Sequence, residues 1–271
     1  MLDGDETSVL SELLALGGSS GGARRKVNVL FDPTSRRVTT DPVASRGSVP
    51  VLVKFPTQRD PVDIGAIEHA YANMAVAAGI EVAPTWLLEG SAGPGFFATQ
   101  RFDRGTTVHV HTLCGLLHAD HRVPCISYSD TLKLTSWLTR DHQQVDQTFR
   151  RMAFNVLAHN RDDHSRNFAF LLGPAGAGFE SARWRISPAY DLTFSEGPGG
   201  EHWMAIAGEG RHPGLSHMLA VAREAGVPEK RARQVIDEVR AAVDLWPNFA
   251  AAAGVGAPSR DRIRGVLAKL R

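Results

Sequence analysis

The chain has 271 residues, of which 43% are hydrophobic and 22% charged, and its formal net charge is +1. That length suits one large domain or two lobes with a cleft between them, with enough apolar residues for a sizeable core. No apolar run approaches a membrane span, the near-neutral charge gives no sign of nucleic-acid binding, and the acidic start Met1-Leu2-Asp3-Gly4-Asp5-Glu6 is neither a secretory signal nor a transit peptide.

The expectation is therefore a soluble, cytoplasmic protein with no membrane partner. Its two cysteines, Cys114 and Cys125, form no C-x-x-C pair and read as reduced packing residues.

In chain order, Val9, Leu10, Leu13, Leu14 and Leu16 have the spacing of a packed helix. Residues 17–26 follow as Gly-Gly-Ser-Ser-Gly-Gly-Ala-Arg-Arg-Lys, a glycine-rich run ending in three cations. Glycines let backbone N–H groups approach phosphate oxygens, and Arg24, Arg25 and Lys26 would add complementary charge. It is not a Walker A loop: Ala23 stands where the lysine belongs, and a strand at 27–31 follows where a helix is required. A flexible linker is the plain alternative.

Residues 49–56 read as a hydrophobic strand carrying a single lysine, Lys54. A cation inside such a run needs a partner or must snorkel to water. The next helix, about 64–78, carries Glu68 above a stripe of Ala70, Tyr71, Met74 and Ala75, so Glu68 is a candidate partner for Lys54. Strand-like runs at 80–88 and 95–102 come next. The second precedes a mostly helical region and so reads as a hinge whose backbone at Gln100 and Phe102 could meet an adenine edge.

Helices are expected at about 108–119, 129–140, 144–159, 215–225, 229–245 and 258–270, with Trp246-Pro247 ending the fifth. His109 and His111 alternate with valines, but nothing nearby completes a metal site, and a surface-facing pair is expected.

The most informative stretch lies between the helix ending near 159 and a short hairpin formed by 168–172 and 184–186. It reads Asn160-Arg161-Asp162-Asp163-His164-Ser165-Arg166-Asn167, with Asp191 beyond the hairpin. Asp and Asn are common turn formers, so a polar loop is the plain reading. The helix–loop–hairpin–Asp order favours phosphoryl transfer. There, one carboxylate (Asp162) receives the acceptor hydroxyl, while an amide oxygen (Asn167) and a second carboxylate (Asp191) offer the hard ligands that Mg²⁺ requires beside ATP.

Together these pieces resemble the kinase core of the HipA family of bacterial toxin kinases. They are the Gly-Gly-Ser-Ser-Gly-Gly-Ala-Arg run, Val-Lys-Phe-Pro, the helix with Glu68, Gln-Arg-Phe-Asp-Arg, Asn-Arg-Asp-Asp-His-Ser-Arg-Asn and Ser-Pro-Ala-Tyr-Asp-Leu. The resemblance implies an α+β, two-lobed protein-kinase-like fold, with a small mixed β N-lobe over 1–104 and a mainly helical C-lobe over 105–271. It implies a Mg²⁺- and ATP-dependent Ser/Thr protein kinase, with Asp162 as the catalytic aspartate and Asn167 and Asp191 on the metal. Lys54, His164, Gly21, Gly22 and Ala23 would lie at the nucleotide phosphates, and Gln100 and Phe102 at adenine. Ser19 or Ser20 would be autophosphorylated, ejecting the loop and switching the kinase off.

It further implies a toxin whose protein substrate is an aminoacyl-tRNA synthetase and whose partner is a helix-turn-helix antitoxin, with DNA reached only through that antitoxin. An extra N-terminal subdomain is expected from full-length members, so either a separate small protein supplies it or the chain is a minimal or degraded member. A small-molecule phosphotransferase of the aminoglycoside or choline kinase kind, and a non-catalytic partner of an antitoxin repressor, are the competing readings.

Overall fold

The computed structural model describes residues 3–15, 24–41, 47–90, 93–104, 108–120, 122–173 and 183–270. Strand β1 (Asp3–Asp5) leads into helix α1 (Glu6–Ala15), then strands β2 (Lys26–Asp32), β3 (Arg37–Thr39) and β4 (Val49–Lys54). Helix α2 (Ile64–Ala77) crosses to β5 (Thr85–Leu88) and β6 (Phe96–Gln100). These strands form one sheet in the order β1-β3-β2-β4-β6-β5, and every pairing between them is antiparallel. The mixture in this part is thus of sheet with two helices. Strand β4 turns Val51 and Val53 inward against Val9, Leu10, Phe31 and Phe96, as its period of two requires.

Beyond the sheet come β7 (His109–Thr112), the short helix α3 (Leu113–Leu116), and helices α4 (Tyr128–Thr139) and α5 (His142–Leu157). Strands β8 (Ala169–Leu172) and β9 (Trp184–Ile186) and helices α6 (Leu215–Glu224), α7 (Glu229–Asp244), α8 (Trp246–Ala252) and α9 (Ala257–Leu267) complete the order. A capping box between Ser127 and Asp130 starts α4, and the Asp141 side chain caps α5.

Three expectations are corrected. Residues 109–112 form a strand rather than the start of a helix, because His-Val-His-Thr alternates and pairs with β8 from His109↔Leu172 to Thr112↔Ala169. Trp246-Pro247 opens α8 instead of only ending α7, since a proline in a first turn lacks an N–H that would be unpaired anyway. Cys125 is exposed, so of the two cysteines only Cys114 packs in the interior. His109 is exposed and His111 half-buried, and among the described residues no three metal-ligating side chains cluster. No helix among them is long and apolar enough to cross a membrane.

The larger core joins α2 to the helical region. Tyr71 on α2 sits edge-on to Trp246 at 5.2 Å and donates to the Ala158 carbonyl at 2.8 Å, while the Trp246 indole N–H reaches the Arg260 carbonyl at 3.1 Å. Trp246→Ala should therefore cost about 3–5 kcal/mol, the range for emptying a large buried aromatic site, read as a lowered midpoint in urea. At the other end of α2 the helix lies directly on β6: a Cβ on Gly65 would come within 2.4 Å of the Gly95 carbonyl oxygen. That close approach, open only to glycine, brings the next turn of α2 against β4.

Candidate active site

Glu68 stands on that next turn, buried, and the last residue of β4 is Lys54. Lys54 Nζ donates to Glu68 Oε2 at 2.8 Å and also to Asp191 Oδ1. Burial draws the ammonium's pKa down, but the Asp191 and Glu68 carboxylates outweigh it and leave Lys54 raised. Reciprocally, Lys54 holds the Asp191 carboxyl down at about 2, against the opposing effect of burial. Asp191 adopts φ = 60°, the left-handed region that a non-glycine residue occupies at a cost.

The other Glu68 oxygen is taken by Arg24, whose Nε also contacts Asp60 at 3.1 Å. Arg24 lines the same cavity as Lys54 and also ties the residue after the glycine-rich run to α2. Lys26 pairs in register with Lys54 across β2 and β4, placing another cation on the same wall.

The segment 160–167 meets this wall from the helical side. Asp162 is about half exposed, with His164 Nε2 3.8 Å from its Oδ1. Desolvation pushes the Asp162 carboxyl above the ordinary carboxylate range, and His164 pulls it partly back. Asn167 gives its side-chain N–H to the Asp162 backbone carbonyl at 2.8 Å, which fixes the amide so that its oxygen is the atom left to accept. Lys54, Asp162, His164, Asn167 and Asp191 line one cavity of about 520 Å³. The donor set facing it includes an amide oxygen and a low-pKa carboxylate, hard oxygens that suit a Mg²⁺ ion.

Two expected residues stand elsewhere. The wall is formed by Leu52, Val82, Thr85 and Thr99, without Gln100 or Phe102. The Gln100 N–H goes to the Pro84 carbonyl at 2.9 Å, and the Phe102 ring faces Tyr190 at 5.8 Å. Ser19, Ser20, Gly21, Gly22 and Ala23 lie outside the described residues. The sequence reading passed over Asp60, whose ion pair with Arg24 spans 36 residues and has no local signal.

A strand lysine held by a helix glutamate, in a sheet set on a helical body that carries the acidic loop, is the architecture of kinase-like folds. The chain belongs to the HipA-like C-terminal domain family, whose model matches residues 18–246. Its fold is similar to that of HipA from Shewanella oneidensis MR-1, solved with HipB and operator DNA, at 17% identity and a TM-score of 0.68. That match covers 93% of this chain and 63% of that one, so the chain spans less than two thirds of the longer protein. It is also similar to the Helicobacter pylori proinflammatory kinase CtkA, at 12% identity, a TM-score of 0.53, and coverage of 89% and 95%. No curated protein matches the sequence.

Proposed function

We propose that this chain is a Mg²⁺- and ATP-dependent serine/threonine protein kinase acting as the toxin of a toxin–antitoxin pair. The observation that carries the reading is Lys54 joined at once to Glu68 and Asp191, in one cavity with Asp162 and Asn167. When bound, ATP would supply the phosphoryl group and Mg²⁺ would neutralise charge developing on it. Asn167 Oδ1 and the Asp191 carboxylate would hold the metal, Lys54 would offer positive charge to the phosphates, and His164 would stand beside them. Asp162 orients the acceptor hydroxyl and takes its proton; a carboxyl with a raised pKa is better matched to that task than an ordinary one.

Family membership supports the finer reading. The protein substrate is an aminoacyl-tRNA synthetase, and autophosphorylation falls on Ser19 or Ser20. The partner is a helix-turn-helix antitoxin that carries the pair to DNA, as HipB accompanies HipA in the Shewanella complex.

Incubation with Mg·ATP should raise the melting midpoint, since a ligand bound only to the folded state adds about 2.7 kcal/mol at a hundred times its Kd. Intact mass should then show added phosphate on Ser19 or Ser20. Turnover on aminoglycoside or choline acceptors with no protein phosphorylated would replace this reading by a small-molecule phosphotransferase. Neither a midpoint shift nor phosphate would leave the binding-partner reading.

A further inference from the structure

Asp162 is followed by a second acid that points the opposite way. The Asp163 side chain is fully buried and receives three donors: Tyr128 OH at 2.7 Å and His202 Nδ1 at 2.8 Å on Oδ2, and the Trp203 backbone N–H at 2.8 Å on Oδ1. Asn155 Nδ2 donates to the Tyr128 hydroxyl at 2.9 Å, so that hydroxyl gives its single proton to Asp163. His202, itself buried, must carry its proton on Nδ1 to donate to a carboxylate.

The neighbours of Asp163 hold the same segment. The Arg161 N–H bonds to the Ser195 carbonyl at 3.2 Å, and its guanidinium reaches the carbonyls of Gly200 at 2.5 Å and Arg211 at 2.7 Å. Gly197, at φ = 70°, lets the segment lie on Arg161: a Cβ there would fall 2.6 Å from Arg161 Cβ. At the end of these bonds stands Trp203. Its ring meets His164 edge-on at 6.2 Å, and its indole side chain favours the charged form of the Asp162 carboxyl.

We propose that Asp163 and His202 are positioning residues: they clamp segment 200–203 onto the catalytic loop so that Trp203 holds Asp162 and His164 in place for the acceptor. The inference rests on the reading of Asp162 as the base. Nothing in the clamp touches Lys54, and it reaches the nucleotide only through His164, so the transfer step should suffer far more than nucleotide binding.

The test uses the full chain with Mg·ATP and follows ADP release. Asp163→Asn and His202→Leu should lower kcat about a hundredfold, the cost of misplacing a catalytic group by about 1 Å, while KM for ATP stays within about twofold. His202→Asn, whose amide N–H can reach the same oxygen, should recover most of the loss. Trp203→Phe keeps the ring on His164 and removes only the indole N–H; it should lower kcat about tenfold, and it covers the case in which the Asp163 variant fails to fold. Wild-type kcat in Trp203→Phe and Asp163→Asn, or KM for ATP rising in step with the loss, overturns the proposal.

If the wild-type chain releases no ADP, the kinase reading fails, and hydrogen exchange judges the clamp separately. A Trp203 amide protected in the wild type and exposed in His202→Leu supports it; equal protection in both overturns it.

Discussion

Asp162→Asn should reduce phosphoryl transfer about a thousandfold while leaving the protein folded. The substitution keeps the shape of the side chain and removes the basic oxygen, and general-base contributions run to about 10²–10⁴. Stability should hardly move, because the Asp162 side chain is half exposed and the bond from Asn167 goes to its backbone carbonyl rather than to the carboxylate. The two readouts are ADP release at saturating Mg·ATP and the melting midpoint. A variant with more than about a tenth of wild-type turnover would remove Asp162 from the role of base.

The wild-type rate should also fall on the acid side. Desolvation raises the Asp162 pKa above 3.8, so the proton returns at a higher pH than for an exposed aspartate. That limb should be absent from the residual rate of the asparagine variant.

Lys54→Met should act on both activity and stability. Methionine keeps the length of the side chain and removes the charge that two carboxylates share. Glu68 still has Arg24, but Asp191 loses the cation that holds its pKa near 2. In the wild type, the Asp191 contribution is fully present above its ordinary pKa of 3.8 and is lost as pH falls through about 2. Without Lys54 that contribution is gone at neutral pH, and the stability curve between about pH 4 and 2 should flatten. Removing one partner of a buried pair costs about 3–5 kcal/mol; partial exposure of Asp191 and the remaining Arg24 bond reduce this to about 1–3 kcal/mol. Transfer should fall about a hundredfold with weaker ATP binding, measured by titration calorimetry. Unchanged affinity would mean that Lys54 serves only the fold.

Much of the site was legible because its signals are local. A polar run between two apolar runs marks the loop, and a lone cation in a hydrophobic strand marks Lys54. Glu68 could be proposed because α2 is the next element after that strand. What escaped depends on distance in space. Arg24 and Asp60 find each other across 36 residues, and Arg24 and Glu68 across 44. Asp162 and Asp163 are chemically identical neighbours, and only the fold shows that one faces the cavity and the other is a buried hub. The strand at 109–112 is four residues long, and Leu113, Leu116 and Leu117 after it carry helical spacing that masked its alternation. The hinge at Gln100 was placed by strand order alone, which does not say whether its N–H already has an acceptor.

The anchoring of α2 has a mechanical consequence. Tyr71 and Trp246 rivet that helix to the helical body, whereas Lys54 travels with the sheet. A rocking of the sheet that widens the cleft would therefore have to part α2 from β6 at Gly65 as well as draw an ammonium away from Glu68 and Asp191. Opening is a charge-separating motion, stiffened by Coulomb attraction and softened by salt or by a polyanion that takes over the lysine.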